Sequence, residues 1–261
     1  MRQMSTNLDH YLPFREKAPS IQHIRQAGGP FDPENLQTLP GFFSALLFHA
    51  VTFSTPFLFS HAPLLQSLDA WDESMSRIKV MVAEASTDQR YFCDPNVYGT
   101  ATRRLVDIVP SLWSAAEGKW MLLSDNDKID FRKFYHWLAK DMSDNSGSGR
   151  KTFLQFSPLI AYLLTVDYSY TAVVSSPSLD NMADAIARIN AGGIKGLEAL
   201  GILPDTCNMK LDARIAAVKP AFQMFYNFLD KALTAEQKQI IGFDYIMVEH
   251  TLCKMARLKV L

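Results

Sequence analysis

The chain has 261 residues, of which 48% are hydrophobic and 20% are charged. This balance is typical of a folded globular protein and excludes a mostly disordered chain, because disorder requires low hydrophobicity and high net charge. Lysine and arginine number 26 against 27 aspartates and glutamates, so a formal net charge of −1 gives no general attraction to nucleic acid or to anionic membranes. The three cysteines are far apart in sequence, which indicates no disulfide framework and favours a reducing, cytoplasmic location.

Residues 1–40 predict an irregular N-terminal arm with one short helix, and residues 41–261 predict a helical domain. In the arm, Ser20 is placed to cap a helix that Gly28 and Gly29 would end. The start of the chain has no apolar segment of signal-peptide length.

The first strongly apolar segment lies within residues 35–68, which contain no Asp, Glu, Lys or Arg. Its centre, residues 42–59, is near the lower length limit for a membrane span. Polar residues and a proline interrupt this centre, and no basic cluster flanks it. We therefore expect a buried helix that ends before Pro56, and we do not expect a membrane as a partner.

Further helices follow at the periodicity of amphipathic segments. Helices are predicted at 64–85, 99–116 and 159–174, with a kink or a new start at Pro110. A further helix is predicted to run to about 142, with Ser124 as its cap and Asp127 as an acid in its first turn. Residues 86–98 predict a loop, and residues 143–151 are the candidate boundary if the domain has two halves.

The C-terminal third predicts short helices with clear ends. The first runs from a cap at Ser178 to about 191 and is ended by Gly192 and Gly193, and the second runs from 194 to 200 and is ended by Gly201. One or two helices follow over 211–233 around Pro220. Another begins at a Thr234–Gln237 capping box, and the last covers 244–259. No segment alternates as a strand does. The sequence predicts an all-α protein, a single globular domain of about nine to eleven helices with two largely uncharged central helices.

Three ionisable residues fall in apolar surroundings. Asp167 lies in the middle of the apolar arc of its helix, His49 lies on a helix with no polar face, and Glu249 lies close to an apolar face. A buried carboxylate must be paired, hydrogen-bonded or protonated. Asp167 is therefore either an acid, base or ligand anchor, or a structural residue. In the structural role it would form an ion pair with an arginine such as Arg103, Arg104 or Arg188, or a hydrogen bond to a tyrosine. If the three residues converged in one pocket, they would form an acid/base site.

A basic stripe is predicted on the helix before residue 142. It consists of Arg132, Lys133, His136 and Lys140, opposite an apolar face with Phe131, Phe134 and Leu138. The stripe is either a local patch for anions or nucleic acid, or a solvated helix face. The balanced net charge favours the solvated face, so nucleic acid is not the expected partner.

The sequence contains no P-loop, no dinucleotide-binding glycine pattern and no zinc-protease motif, so it predicts no cofactor and no metal. The segments SPLIAYLLTVDYSYTAVVSSPS and GGIKGLEALGIL, within residues 153–203, resemble uncharacterised helical proteins of mushroom-forming fungi. The resemblance implies a fungal origin and brings no catalytic residues with it.

Three functions fit these patterns. The first is a non-catalytic helical binding protein that uses an apolar pocket or groove to hold a protein partner, a second copy of itself or a small hydrophobic molecule. The second is an enzyme without a known motif that uses acid/base chemistry from Asp167 with His49 or Glu249. The third is a nucleic-acid or nucleoprotein role through the basic stripe.

Overall fold

A computed structural model of the chain describes residues 8–55, 58–59, 62–81, 109–124, 127–141 and 158–258. Within these ranges the regular secondary structure is helical, apart from an isolated parallel bridge between Ile129 and Val174. The predicted all-α class is therefore confirmed. The described residues divide into two compact units, a central unit from Gln22 to Ser175 and a terminal unit formed by residues up to Ile21 and from Ser176 onward.

The helices of the described residues follow the chain in this order. They are α1 Leu8–Tyr11, α2 Pro19–Ile24, α3 Leu39–Leu47, α4 Leu68–Met81, α5 Val109–Lys119, α6 Phe131–His136, α7 Pro158–Ser169, α8 Leu179–Ile189, α9 Gly192–Ala199, α10 Leu211–Ala232, α11 Ala235–Ile241 and α12 Tyr245–Leu258. Two π-helical turns, Phe48–Thr52 and Trp137–Asp141, continue α3 and α6, and Arg15–Lys17 and Trp120–Ser124 are 3₁₀ turns. The predicted loop at 86–98 and the candidate boundary at 143–151 lie outside the described residues.

Helix α3 confirms the helix predicted in the first uncharged segment. The side chain of Thr38 caps it by accepting a hydrogen bond from the Gly41 backbone N–H, and every residue from Gly41 to Leu47 is buried. In the central unit, α7 is similarly buried from Ile160 onward, except at Leu163. That these two helices form the centre of one domain stays a prediction. Among the described residues, no helix combines the length and the apolar content that crossing a bilayer needs.

The predicted start of the helix before residue 142 is wrong. The capping residue is Asp130, whose side chain accepts a hydrogen bond from the Lys133 backbone N–H, whereas Ser124 ends a 3₁₀ turn. An aspartate caps as well as a serine does, and the sequence offers both, so the local pattern does not choose between them. The predicted apolar face is present, because Phe131, Phe134 and Leu138 are all buried.

Helix α7 ends at Ser169, five residues earlier than predicted. The backbone beyond it pairs with Ile129, which donates to the Val173 carbonyl at 2.8 Å and accepts from the Ser175 N–H at 2.9 Å. These bonds satisfy backbone groups that a longer helix would have used internally. The chain therefore leaves the helix before Tyr170.

In the terminal unit, Ser178 caps α8 as predicted, but Gly192 and Gly193 do not end it. Asn190 ends α8 in the left-handed conformation with φ at 49°, and the two glycines open α9. The reason lies in packing against α12. A Cβ added at Gly196 would lie 2.6 Å from the Leu252 carbonyl oxygen, so α9 approaches α12 more closely than a side chain permits.

The rest of the terminal unit follows the sequence closely. Helix α10 continues through Pro220, α11 begins at the predicted Thr234–Gln237 capping box, and α12 covers the predicted final helix. At the N-terminus, Ser20 is not the predicted cap. It lies in the first turn of α2, and its hydroxyl donates to the Asp9 carboxylate at 2.8 Å.

Candidate functional site

Asp167 and His49, two of the three predicted acid/base residues, meet inside the central unit. Helix α7 carries Asp167, and the π-helical turn after α3 carries His49. His49 Nε2 lies within hydrogen-bond distance of Asp167 Oδ2, and both side chains are fully buried. The π-helical turn fits one extra residue into the turn and so changes where the imidazole points; such turns occur often at functional sites.

The third member of this cluster is Arg25, which follows α2. Its Nη2 lies 3.3 Å from Asp167 Oδ1 and 3.4 Å from the backbone oxygen of the same residue. The ion pair that was expected of Asp167 is therefore present, but none of the predicted arginines is seen to form it. Arg188 instead pairs with Asp184 at 2.8 Å in the terminal unit, and Arg103 and Arg104 lie outside the described residues.

Two aromatic rings hold the Arg25 guanidinium in place. Its central carbon lies 5.3 Å from the ring centre of Phe31 and 5.4 Å from that of Tyr170. Both distances are in the range of a cation–π interaction. The Arg25 side chain is 20% exposed, so it forms the solvent side of a cluster whose other two members are closed off.

The Asp167 carboxylate faces the positive charge of Arg25. Arginine is always protonated in proteins, so the Arg25 guanidinium compensates the Asp167 carboxylate. A hydrogen bond between His49 and the same carboxylate requires a proton on Nε2, which then donates to Asp167 Oδ2. The rings of Phe48 and Phe53 lie 4.6 Å and 6.3 Å from the imidazole centre and make its surroundings apolar. This arrangement links the chain after α2, the π-helical turn and α7 through one buried carboxylate.

Tyr168, next to Asp167 on α7, was not singled out by the sequence. It is fully buried and its ring packs edge-on against Phe31 and Phe134. Its hydroxyl has no hydrogen-bond partner among the described residues. Burial, and next the negative charge of Asp167, raise the pKa of Tyr168 well above its ordinary value. A phenol in a helix pattern looks like any core aromatic, so sequence alone does not show that this hydroxyl is unsatisfied.

Glu249, the third predicted acid/base residue, lies on α12 in the terminal unit. It is 8% exposed and lies beside α9, where a Cβ at Gly193 would approach its Oε1 to 3.1 Å. The structure thus brings Asp167 and His49 together in one unit and places Glu249 in the other.

The predicted basic stripe lies on α6 and its π-helical continuation. Arg132 and Lys133 are exposed, and the Arg132 Nε–H donates to His136 Nε2 at 3.4 Å. The side chain of Lys140 lies outside what the structure describes. A role for the stripe in nucleic-acid binding stays a prediction.

An apolar row on α10 is exposed. Met224 and Phe228 are 59% and 65% exposed, and Pro220 precedes them by one helical turn. We call this surface the α10 face; it consists of Pro220, Met224 and Phe228 with the polar Gln223, Asn227 and Lys231. The spacing of four residues in the sequence was the signal that could have found it. Apolar surface rimmed by polar residues is typical of binding sites.

A small cavity lies in the central unit between Ile24, Phe48 and Leu65. Its volume of about 20 Å³ has room for one water-sized molecule. A site for a small hydrophobic ligand needs several hundred Å³. This cavity is therefore too small to be the predicted apolar pocket.

Comparisons with protein families, with curated proteins and with solved structures return no significant match to this chain. The resemblance to helical proteins of mushroom-forming fungi stays a prediction from the sequence. The features that bear on function are therefore the cluster of Asp167, His49 and Arg25 and the exposed α10 face.

Proposed function

We propose that this chain is a non-catalytic binding protein that docks a partner protein on the α10 face. The observation that carries the proposal is the exposure of Met224 and Phe228, adjacent on one helix and more than half open to solvent. A contiguous exposed apolar patch that is rimmed by polar residues is typical of a protein–protein contact site.

The energetics of the α10 face are those of an anchor. Burying a Met or Phe side chain contributes about 1.5–3 kcal/mol, and a few such residues carry most of the binding energy in typical interfaces. Helix α10 has 22 residues, which makes a rigid support about 33 Å long. A rigid apolar face needs little ordering when it binds, so more of this energy appears as affinity.

The test uses a synthetic helical peptide of about 18 residues with leucines on one face, labelled with fluorescein and followed by anisotropy. We expect binding that Met224→Ser with Phe228→Ser weakens at least about tenfold, because two anchors are lost. Met121→Ser is the matched control, since Met121 is 67% exposed in the central unit. Absence of binding by the unmodified protein, or an equal loss in the control, would overturn the proposal.

A second candidate is acid/base chemistry by His49 and Asp167, because the two side chains are in contact. Their complete burial means that a substrate reaches them only if the cluster opens. Histidine C2–H exchange in D₂O, read by mass spectrometry, measures that opening. If C2–H exchange at His49 is as fast as at the partly exposed His136, the cluster opens and acid/base catalysis is supported. If exchange at His49 is slower by orders of magnitude, the cluster stays closed and Asp167 and His49 have a structural role.

A further inference from the structure

We propose that the partner of the α10 face is an amphipathic helix that places a carboxylate against Lys231. This inference rests on the proposed function and names the chemistry of the partner. Lys231 is exposed at the C-terminal end of the face and makes no ion pair among the described residues. The neighbouring Asp230 does not neutralise Lys231, because Asp230 Oδ1 pairs with Lys238 Nζ at 2.6 Å.

Within the described part of the chain, Lys219, the other lysine within α10, has an ion pair, unlike Lys231. Lys219 pairs with Asp180 of α8 at 2.5 Å. Lys231 is therefore a positive charge at the edge of an apolar row and has no ion pair among the described residues. A cation in the last turn is favoured by the helix dipole, which accounts for a lysine there but not for its position beside Phe228.

A partner helix fits the shape of the face. Pro220, Met224 and Phe228 are spaced by four residues, so their side chains form a ridge about 12 Å long nearly parallel to the helix axis. Ridges of this kind pack into the grooves of a second helix, whose own anchors recur every three or four residues.

A second copy of this chain fits less well, because the α10 face contains no acid. In an antiparallel pair centred on Met224, Lys231 of each copy lies opposite the neutral Ala217. In a parallel pair, the two Lys231 side chains meet. Both arrangements leave the lysine facing neutral or basic groups, whereas a partner with a carboxylate at that position neutralises it.

The test compares two versions of the leucine-faced peptide that differ only in a flanking residue, glutamate in one and lysine in the other. We expect the protein to bind the glutamate peptide about 3- to 10-fold more tightly in low salt, and Lys231→Glu to reverse this preference. Lys210→Glu is the control, because it changes the net charge equally at the far end of α10, where Lys210 is exposed. The preference should persist in that variant.

The outcomes separate this inference from the proposed function. If both peptides bind equally and Met224→Ser with Phe228→Ser abolishes both, the α10 face is a docking site but the acidic partner is refuted. If neither peptide binds, the proposed function fails. If analytical ultracentrifugation shows a dimer that the double variant dissolves, the occupant is a second copy and the inference is overturned.

Discussion

Replacing Asp167 by alanine tests a fully buried carboxylate of the central unit. The carboxylate contacts His49 and Arg25, and both it and the imidazole are fully closed to solvent. The change removes both side-chain interactions. The imidazole then loses the carboxylate that it contacts, whereas Arg25 keeps the backbone oxygen of residue 167, which lies 3.4 Å from its Nη2.

The expected cost can be worked out from the burial of each partner. His49 has no access to water, so the loss of its acceptor costs about 1–3 kcal/mol. Arg25 is 20% exposed and can turn toward solvent, so its share is smaller, about 1 kcal/mol. The two shares together predict a cost of about 2–4 kcal/mol for Asp167→Ala, which overlaps the lower part of the roughly 3–5 kcal/mol that breaking a buried pair from one side costs in proteins.

Asp167→Asn is the matched variant, because the amide keeps the shape and one acceptor oxygen. We expect it to cost about half as much as alanine, since the hydrogen bond to His49 can persist while the charge is lost. The assay is urea unfolding at pH 7, followed by far-UV circular dichroism and tryptophan fluorescence. If alanine costs less than about 1 kcal/mol, or if asparagine costs as much as alanine, the cluster does not stabilise the central unit as argued. If alanine prevents folding, Asp167→Asn alone decides, because it must still unfold at lower urea than the unmodified protein.

Four further variants test other features of the structure through the free energy of unfolding. Gly196→Ala should cost about 1–3 kcal/mol, because its Cβ would lie 2.6 Å from the Leu252 carbonyl oxygen. Gly118→Ala should instead stabilise the protein by up to about 1 kcal/mol, because nothing lies within 4 Å of its Cβ. Equal effects of the two variants in urea unfolding would refute the close approach of α9 to α12. Tyr168→Phe should leave stability unchanged or raise it by about 1 kcal/mol, because it removes a buried hydroxyl that has no hydrogen-bond partner among the described residues. The raised pKa of Tyr168 keeps its phenol protonated in the folded state, whereas the phenol of the unfolded chain ionises near pH 10. Ionisation stabilises the unfolded state, so the free energy of unfolding falls as the pH rises above about 10. Between pH 8 and pH 11 the Tyr168→Phe variant should therefore lose less stability than the unmodified protein, and an equal loss would contradict this. Asp130→Ala should cost about 1 kcal/mol by removing the cap of α6, and a thermal midpoint that does not fall would show that the cap is not needed.

Much of the helical architecture could be predicted from the sequence. The cap at Ser178, the Thr234–Gln237 capping box and the buried face with Phe131 and Phe134 all agree with the structure. Each of these features depends on residues three or four positions apart, which the helix itself brings together. The same periodicity placed Asp167 in an apolar arc and so predicted that it must have a partner.

Local sequence patterns therefore predict the helical class, most helix positions and the unusual placement of Asp167 and His49. The packing of distant segments is needed to show that Arg25 is an ion-pair partner of Asp167, that the backbone beyond α7 pairs with Ile129, and that Glu249 lies in the other unit. The physical reason is sequence separation. Arg25 and Asp167 are 142 positions apart, and contacts over such distances depend on how helices pack, which no local period encodes.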